Sequence, residues 1–242
     1  MNIYYELMGK PVFSINDVNE YYHNMNSARS AVKTLVRNNL AVRIRNNLYT
    51  CISGETHCSV ANKYQIACAI HPDAYVSHHS ALEYYGLYNQ VFYDMYVSSS
   101  SKFTNFEFDG NEYCYVPSNM NKGIEYVEFS DGVRITSMER TVLDSIKDMD
   151  KIAGVEEVVS CLSNIGRLNE SIMIEYLDIF NNQFLYQKTG YLLYPFQSQM
   201  QLSDAFFDLC KSKKGKSMRY LTNETTKGIF NKEWSLIIPR YL

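Results

Sequence analysis

A group of basic and hydroxyl side chains near the N-terminus has the spacing of one helix face. Arg29, Lys33 and Arg37 follow one another at intervals of four residues, so a helix would place them along one side. Hydroxyl groups lie between them, and both kinds of side chain can donate hydrogen bonds to phosphate oxygens or to base edges. The candidate DNA contacts on this segment are Ser27, Arg29, Ser30, Lys33, Thr34 and Arg37.

A second basic group follows directly and has the pattern of a β-hairpin. Residues 41–45 alternate apolar and basic side chains, Asn46-Asn47 suits a tight two-residue turn, and 48–52 return as a second strand. The alternation predicts that both arginines face one side, where they would meet phosphate or the minor groove. The candidate contacts here are Arg43, Arg45, Asn46 and Asn47.

The elements around these residues predict a winged helix-turn-helix. A short helix over 3–8 and an extended stretch at 11–13 precede a second helix, which Ser14 opens with a capping box and which ends near residue 23. The basic helix then begins at Asn26 or Ser27. Its predicted buried stripe is Ala28, Ala31, Val32, Leu35 and Val36. Helix, short strand, helix, turn, basic helix and hairpin is the order of a winged helix-turn-helix.

The distribution of charge supports a DNA-binding head on an acidic body. The chain has 242 residues and a net charge of −3, which by itself argues against nucleic acid. Residues 1–53, however, hold six basic and three acidic residues, and the remainder holds 17 basic and 23 acidic residues. One domain is therefore expected to meet phosphate and the other is not.

The rest of the chain predicts a larger α+β domain. Residues 54–60 are polar and contain a glycine, which suggests a linker between a domain at 1–53 and a domain at 61–242. Strand-like runs with hairpin turns at Asp109-Gly110 and Asp131-Gly132 fill 91–135, and we expect antiparallel pairing. A second capping box at 136–139 then opens a helical C-terminal half. Its later helices are expected near 153–164, 168–178, 181–193 and 198–210, before a last strand at WSLIIP.

Three segments together resemble the AbiEi family, the antitoxins and regulators of abortive-infection, type IV toxin–antitoxin systems. The segments are YVSHHSALEYYGL (75–87), VRITSMERTVLDSI (133–146) and QKTGYLL (187–193), behind the N-terminal unit. The resemblance implies an N-domain that represses its own operon at inverted repeats. It implies a C-domain that neutralises a nucleotidyltransferase-like toxin without forming an obligatory stable complex. The tail from about Phe196 matches less clearly.

The resemblance also sets expectations about partners and chemistry. It implies double-stranded operator DNA and a cognate toxin as partners, a monomer or weak dimer that pairs on DNA, and no catalytic residues. Arg140 and Asp144 in the second motif are spaced to pair, and Ser77 in the first can cap a helix. The alternatives are a stand-alone regulator without a toxin, or an enzyme that processes nucleic acid.

Groups that could bind a metal do not combine into a recognisable pattern. His78 and His79 are adjacent, so on a helix they point about 100° apart. A set of cysteines and histidines (Cys51, His57, Cys58, Cys68 and His71) lacks the spacing of common zinc sites. Glu107 and Asp109 alternate on a strand, but Asp109-Gly110 is better explained as a hairpin turn. The sequence therefore predicts no metal, no cofactor and no enzyme.

The sequence also has a basic run near the C-terminus and lacks recognisable targeting signals. The run is Lys211, Lys213, Lys214, Lys216 and Arg219, either a solvated helix end or a second surface for phosphate or a partner. No apolar stretch approaches the ~18 residues that span a bilayer, and no secretory signal is recognisable. A cytoplasmic protein without membrane contact is expected.

Overall fold

The computed structural model describes residues 3–118, 120–152, 154–223 and 227–242, which form a mixed α+β fold. They divide into two compact units. The first unit comprises the chain up to Val76 together with Tyr93–Ser118 and Tyr126–Ile135. The second comprises Ser77–Phe92, 120–125 and Thr136–Leu242. The predicted α+β class is therefore confirmed.

The compact units differ from the predicted domains at 1–53 and 61–242. Hydrogen bonding continues through the expected linker at 54–60 instead of stopping there. The N–H of Ser53 donates to the carbonyl of Cys58 at 2.9 Å, and Ile52 forms an antiparallel bridge with Ser59. The polar, glycine-containing composition thus marks a turn within the first unit rather than a boundary.

The chain begins with three helices and a hairpin. These are α1 (Ile3–Met8), α2 (Ile15–Tyr22), α3 (Met25–Arg37), β1 (Ala41–Arg45) and β2 (Leu48–Cys51). The capping box predicted for α2 is confirmed, because Ser14 and Asp17 exchange side-chain and backbone hydrogen bonds. Helix α3 begins earlier than predicted, since Asn24 caps it and accepts a hydrogen bond from the Ser27 N–H at 3.0 Å.

The extended stretch around Phe13 pairs with β2 of the hairpin through a single antiparallel bridge, Phe13 to Tyr49. Phe13 and Tyr49 exchange backbone N–H···O bonds of 2.8 Å in both directions, and their rings stack with centroids 5.8 Å apart. Phe13 is buried in a small core that α1, α2, α3 and the hairpin share. Apolar side chains from each element therefore hold these elements in one arrangement.

A mixed six-stranded sheet follows. The elements are α4 (Lys63–Ala69), β3 (Tyr75–Val76), α5 (His78–Tyr84), β4 (Asp94–Ser98), β5 (Phe106–Phe108), β6 (Asn111–Tyr115), β7 (Ile124–Tyr126) and β8 (Arg134–Thr136), with the strand order β5-β6-β4-β3-β8-β7. The hairpin turn at Asp109-Gly110 is confirmed, with φ of 49° and 73°. The expectation of antiparallel pairing throughout is wrong, since β4 pairs with β6 and β3 with β8 in parallel.

The C-terminal half is helical, as predicted, and ends in a small sheet. Its elements are α6 (Met138–Ile152), α7 (Gly154–Ser163), α8 (Glu170–Phe180), α9 (Gln183–Leu193), α10 (Gln197–Met200), α11 (Asp204–Lys213), β9 (Arg219–Tyr220), β10 (Gly228–Asn231) and β11 (Leu236–Pro239). The start predicted for α7, residue 153, lies outside the described residues. The single helix expected at 198–210 is split, because Gln201 is left-handed and Ser203 caps a new helix.

The motifs at 133–146 and 187–193 form framework. Arg140 and Asp144 make the predicted ion pair at 2.8 Å, fully buried, and Arg140 also donates to the carbonyls of Met120 and Lys122. Gly190 packs so closely on Trp234 that a Cβ at this position would overlap the indole ring. A larger residue would therefore not fit at Gly190, and an uncharged residue at Arg140 would leave Asp144 without its ion-pair partner.

Two predicted helix caps differ from what the structure shows. At α6 the Oγ of Ser137 accepts from the Arg140 N–H, and the Glu139 carboxylate accepts from the Asn169 N–H, so no capping box spans 136–139. At α5 Ser77 does not cap the helix, because its Oγ lies 2.7 Å from Nδ1 of His78. At α6 a distant backbone N–H thus occupies the Glu139 carboxylate, and at α5 the side chain of the next residue occupies the Ser77 hydroxyl.

Candidate nucleic-acid interface

The buried face of α3 determines which of its side chains reach the surface. Ala28, Val32 and Leu35 are buried in the N-terminal core, at the spacing that the sequence predicts for one helix face. The opposite face is exposed along its whole length. All six side chains assigned to it are exposed, namely Ser27, Arg29, Ser30, Lys33, Thr34 and Arg37.

Three cations form a continuous line on this exposed face, which we call the basic ridge. The basic ridge consists of Arg29, Lys33 and Arg37, one helical turn apart. Within the described part of the chain, no carboxylate lies within ion-pair distance of any of the three. The ridge therefore presents positive charge that the fold does not neutralise.

The nearby carboxylates are themselves neutralised by a lysine. Nζ of Lys10 lies 2.9 Å from Oδ1 of Asp17 and 3.6 Å from Oε2 of Glu20. Burial raises the pKa of Asp17, but hydrogen bonds from Ser14 and Lys10 outweigh it, so the pKa lies below its usual value. Asp17 is thus an anion bound to its own partners, and it does not cancel the ridge.

A groove lined by polar side chains and by the apolar residues Ile3, Ala31, Leu35 and Leu40 lies beside the basic ridge. We call it the hydroxyl groove; it has a volume of about 610 Å³. Its lining includes Ser27, Ser30, Thr34, Asn26, Asn38 and Tyr22. Sequence reasoning missed Asn26, Asn38 and Tyr22, although the helical period of Ser27, Ser30 and Thr34 places Asn38 on the same side. Hydroxyls and amides are suited to hydrogen bonds with base edges.

The β1–β2 hairpin presents one of its two arginines to solvent. A bulge between Arg43 and Arg45 interrupts the alternation of the strand. Arg43 is exposed and donates from Nη2 to Oδ1 of Asn46 at 3.2 Å. Arg43 and Asn46 therefore form a small polar tip at this end of the hairpin.

Arg45 does not share that face, and the expectation that the two arginines point the same way is wrong. Its guanidinium lies over the rings of Phe103 and Phe106, 5.6 and 5.1 Å from their centroids. Nη1 is buried and has no hydrogen-bond partner among the described residues. The bulge rotates Arg45 toward these rings, where it contributes cation–π contact and not a free charge.

Asn47 has a structural role at the turn. It takes the left-handed conformation, with φ of 55°, which asparagine adopts more readily than most residues. Its Oδ1 accepts a hydrogen bond from the Ile15 N–H at 3.0 Å. The turn is thereby tied to the first residue of α2, and Asn47 holds the hairpin in place beside α2 and α3.

The C-terminal basic run is largely neutralised within the fold. Lys211 lies 2.7 Å from Glu233, and Lys213 lies 3.2 Å from Asp178. Nζ of Lys214 donates to the Glu233 carbonyl at 2.5 Å and to Ser235 Oγ at 2.9 Å. Arg219 lies over the Phe184 ring, and Lys216 is exposed. The fold thus occupies most members of this run.

A Ser–His–Asp row occurs in the second unit but is closed to solvent. Ser77 Oγ lies 2.7 Å from His78 Nδ1, and His78 Nε2 lies 3.5 Å from Asp148 Oδ2. Burial raises the pKa of Asp148, but the neighbouring His78 and Lys147 outweigh it and lower the pKa well below its usual value. Ser77 and His78 are 0% and 2% exposed, so a substrate cannot reach the hydroxyl in this conformation.

The cysteines and histidines weighed as zinc ligands are not brought together. Cys51 is buried, and burial raises its pKa to about 11, whereas His57 and Cys58 are exposed. Cys68 exchanges hydrogen bonds with the backbone of Arg134, and His71 pairs with Asp73. In the described ranges these five residues do not form a group with metal-ligand spacing. Glu107 and Asp109 do not form one either.

The mixed α+β fold has a counterpart among solved structures. The structure is similar to the crystal structure of the RV2827C protein from Mycobacterium tuberculosis, with a TM-score of 0.70 and 12% sequence identity. The match covers 98% of this chain and 90% of that chain. No protein-family model matches the sequence, and no curated protein matches it. Among the described residues no helix is long and apolar enough to cross a membrane.

Proposed function

We propose that this chain is a DNA-binding transcriptional autorepressor and the antitoxin of an AbiE-like type IV toxin–antitoxin system. Its N-terminal segment acts as a winged helix-turn-helix. Helix α3 enters the major groove, α2 crosses the backbone, and the hairpin is the wing. Two molecules bind an inverted repeat in the operator, and the more C-terminal part of the chain neutralises a nucleotidyltransferase-like toxin.

The observation that carries the DNA-binding proposal is the unpaired basic ridge. Cations that release counterions from the duplex must be exposed and free of competing carboxylates. Arg29, Lys33 and Arg37 meet this requirement, and Lys10 holds the two acidic residues of α2, Asp17 and Glu20, in ion pairs of its own. The hydroxyl groove beside the ridge supplies neutral donors and acceptors, which can distinguish bases without adding to non-specific affinity.

The antitoxin proposal is supported by the resemblance of the three motifs to the AbiEi family. Arg140, Asp144 and Gly190 belong to buried framework. The Ser77–His78 pair is shielded from solvent. A role in neutralisation therefore depends on surface recognition or on control of expression, and not on chemistry by these residues.

The test of the repressor is binding to the DNA upstream of its own gene. Fluorescence anisotropy with that duplex and with a scrambled duplex, across a salt series, should give tighter binding to the native sequence. Lys33→Ala should weaken binding and reduce the salt slope by about one. Lys122→Ala removes an exposed lysine that pairs with Glu175, and it should leave both quantities unchanged.

Equal affinity for native and scrambled duplexes would contradict the autorepressor proposal. The antitoxin half has a separate test. Co-expression with a nucleotidyltransferase encoded beside the gene should restore growth, and a variant that cannot bind DNA should still restore growth when both genes are placed under foreign promoters. Failure of the wild-type chain to restore growth would leave only a stand-alone regulator.

A further inference from the structure

Three potential metal ligands converge inside the second unit, on two helices far apart in sequence. His79 lies in the first turn of α5, and Glu157 and Cys161 lie four residues apart on one face of α7. Nε2 of His79 is 3.2 Å from Oε1 of Glu157, and Sγ of Cys161 is 3.5 Å from the same oxygen. All three side chains are buried.

The backbone of the segment that follows α5 orients the Glu157 carboxylate. The N–H groups of Asn89 and Gln90 donate to Oε1 of Glu157 at 3.0 and 3.2 Å. Oε2 of the same carboxylate is buried and has no hydrogen-bond partner among the described residues. An unsatisfied oxygen on a buried carboxylate is uncommon, because its desolvation is not compensated. An ion held at Oε1 beside His79 and Cys161 would also lie close to Oε2, because the two oxygens share one carboxylate.

The distances between the three groups fit coordination of one ion. In a tetrahedral zinc site with standard bond lengths, neighbouring N and O ligands lie about 3.3 Å apart and S and O ligands about 3.5 Å apart. The observed separations of 3.2 and 3.5 Å agree with both values. We propose that His79, Glu157 and Cys161 bind one divalent transition-metal ion of the Zn²⁺ class, with water in the fourth position.

Cys161 would bind the ion as its thiolate. Binding forms a metal–sulfur bond between the ion and Sγ and releases the thiol proton to solvent.

The test is titration of the metal-stripped full-length protein with Co²⁺, followed by Zn²⁺ displacement. The wild type should bind one equivalent and show the absorption band of a thiolate–cobalt bond. Cys161→Ser should lose the band, and His79→Gln and Glu157→Gln should weaken binding by more than the about 100-fold that outer-shell changes can cost. Cys210→Ser is the matched control, since Cys210 is buried elsewhere in the second unit.

A second control distinguishes metal binding at the proposed site from metal binding at another cluster of potential ligands. Cys114→Ser changes the group Asp94, Glu112 and Cys114 in the first unit, and it should retain the cobalt band. No band in the wild type, or a band retained in Cys161→Ser, would overturn the proposal. If Cys161→Ser does not fold, the test uses the wild-type protein instead. Zn²⁺, but not Mg²⁺, should raise its Tm and protect Cys161 from alkylation in mild urea. Equal alkylation with and without Zn²⁺ would overturn it.

Discussion

The basic ridge on α3 and the C-terminal basic run look alike in sequence but differ in what their charges contact. Arg29, Lys33 and Arg37 have no carboxylate partner among the described residues, whereas Lys211 and Lys213 have Glu233 and Asp178. The ridge is ordered by a buried apolar face, and the run begins in the last turn of α11. The difference shows that pairing, and not the number of basic residues, determines whether a surface is available to phosphate.

The largest expected effect separates these two surfaces directly. The double variant Arg29→Ala/Lys33→Ala should lose about 1–3 kcal/mol per contact, or roughly 30-fold or more in operator affinity. Lys211→Ala/Lys213→Ala should change affinity by less than about threefold, since those cations are already engaged. Anisotropy at one salt concentration measures both. Similar losses in the two variants would remove the distinction.

Arg45 should behave as part of the fold, unlike its neighbour Arg43. Arg45→Ala should lower the free energy of unfolding by about 1–2 kcal/mol, because it removes contact with Phe103 and Phe106. Arg43→Ala should leave stability unchanged and weaken DNA binding a few-fold. Urea denaturation and anisotropy on both variants decide this. A stable Arg45→Ala protein with greatly reduced affinity would place Arg45 on the DNA side.

The hydroxyl groove should contribute to selectivity more than to affinity. Ser30→Ala and Thr34→Ala should each cost about 0.5–1.5 kcal/mol on the operator and little on scrambled DNA. Both residues are exposed on α3, so the helix should remain stable, since alanine favours helix. An equal loss on both duplexes would assign these hydroxyls to phosphate contacts.

Releasing a lysine of the C-terminal run should create a weak affinity that the wild type lacks. Glu233→Gln frees Lys211 from its closest partner and should raise non-specific duplex affinity about two- to threefold at low salt. Glu175→Gln frees Lys122 outside the run and serves as the control for a general gain of charge. An identical gain in both variants would mean that the run has no special position relative to DNA.

The smallest expected effect concerns the acidic residues beside the ridge. Lys10→Ala leaves Asp17 and Glu20 without their cation, and they should then oppose the ridge and weaken binding about twofold at 0.1 M salt. The effect should disappear at high salt because exposed charges are screened. A salt series on Lys10→Ala and the wild type tests this, and a difference that persists at high salt would indicate a structural role for Lys10.

Local signals predicted the N-terminal elements well. The capping box at Ser14 and the turn at Asn46-Asn47 are short-range patterns, and both were confirmed. The apolar stripe of α3 was confirmed in part, because three of its five members are buried whereas Ala31 and Val36 are half-buried. The start of α3 was placed two residues late, since Asn24, Asn26 and Ser27 can all cap and only the entry angle of the chain selects one.

The long-range features of the fold could not be predicted from the sequence. The parallel pairing of β4 with β6 depends on strands that are not consecutive, and a turn signal specifies only consecutive ones. Arg45 looked identical to Arg43 because a bulge is not visible in the alternation of side chains. Glu157 was not associated with His79, which lies 78 positions earlier, since nothing in local spacing relates the two helices.

The hydrogen bond from the Ile15 N–H to Asn47 and the paired backbone bonds of Phe13 and Tyr49 have a consequence for the rate of association. They fix the hairpin against α2 before any partner arrives, so little conformational entropy remains to be lost on contact. A pre-ordered surface of this kind encounters its target at a rate set by diffusion and long-range charge. Stopped-flow association should accordingly show one phase whose rate is linear in protein concentration.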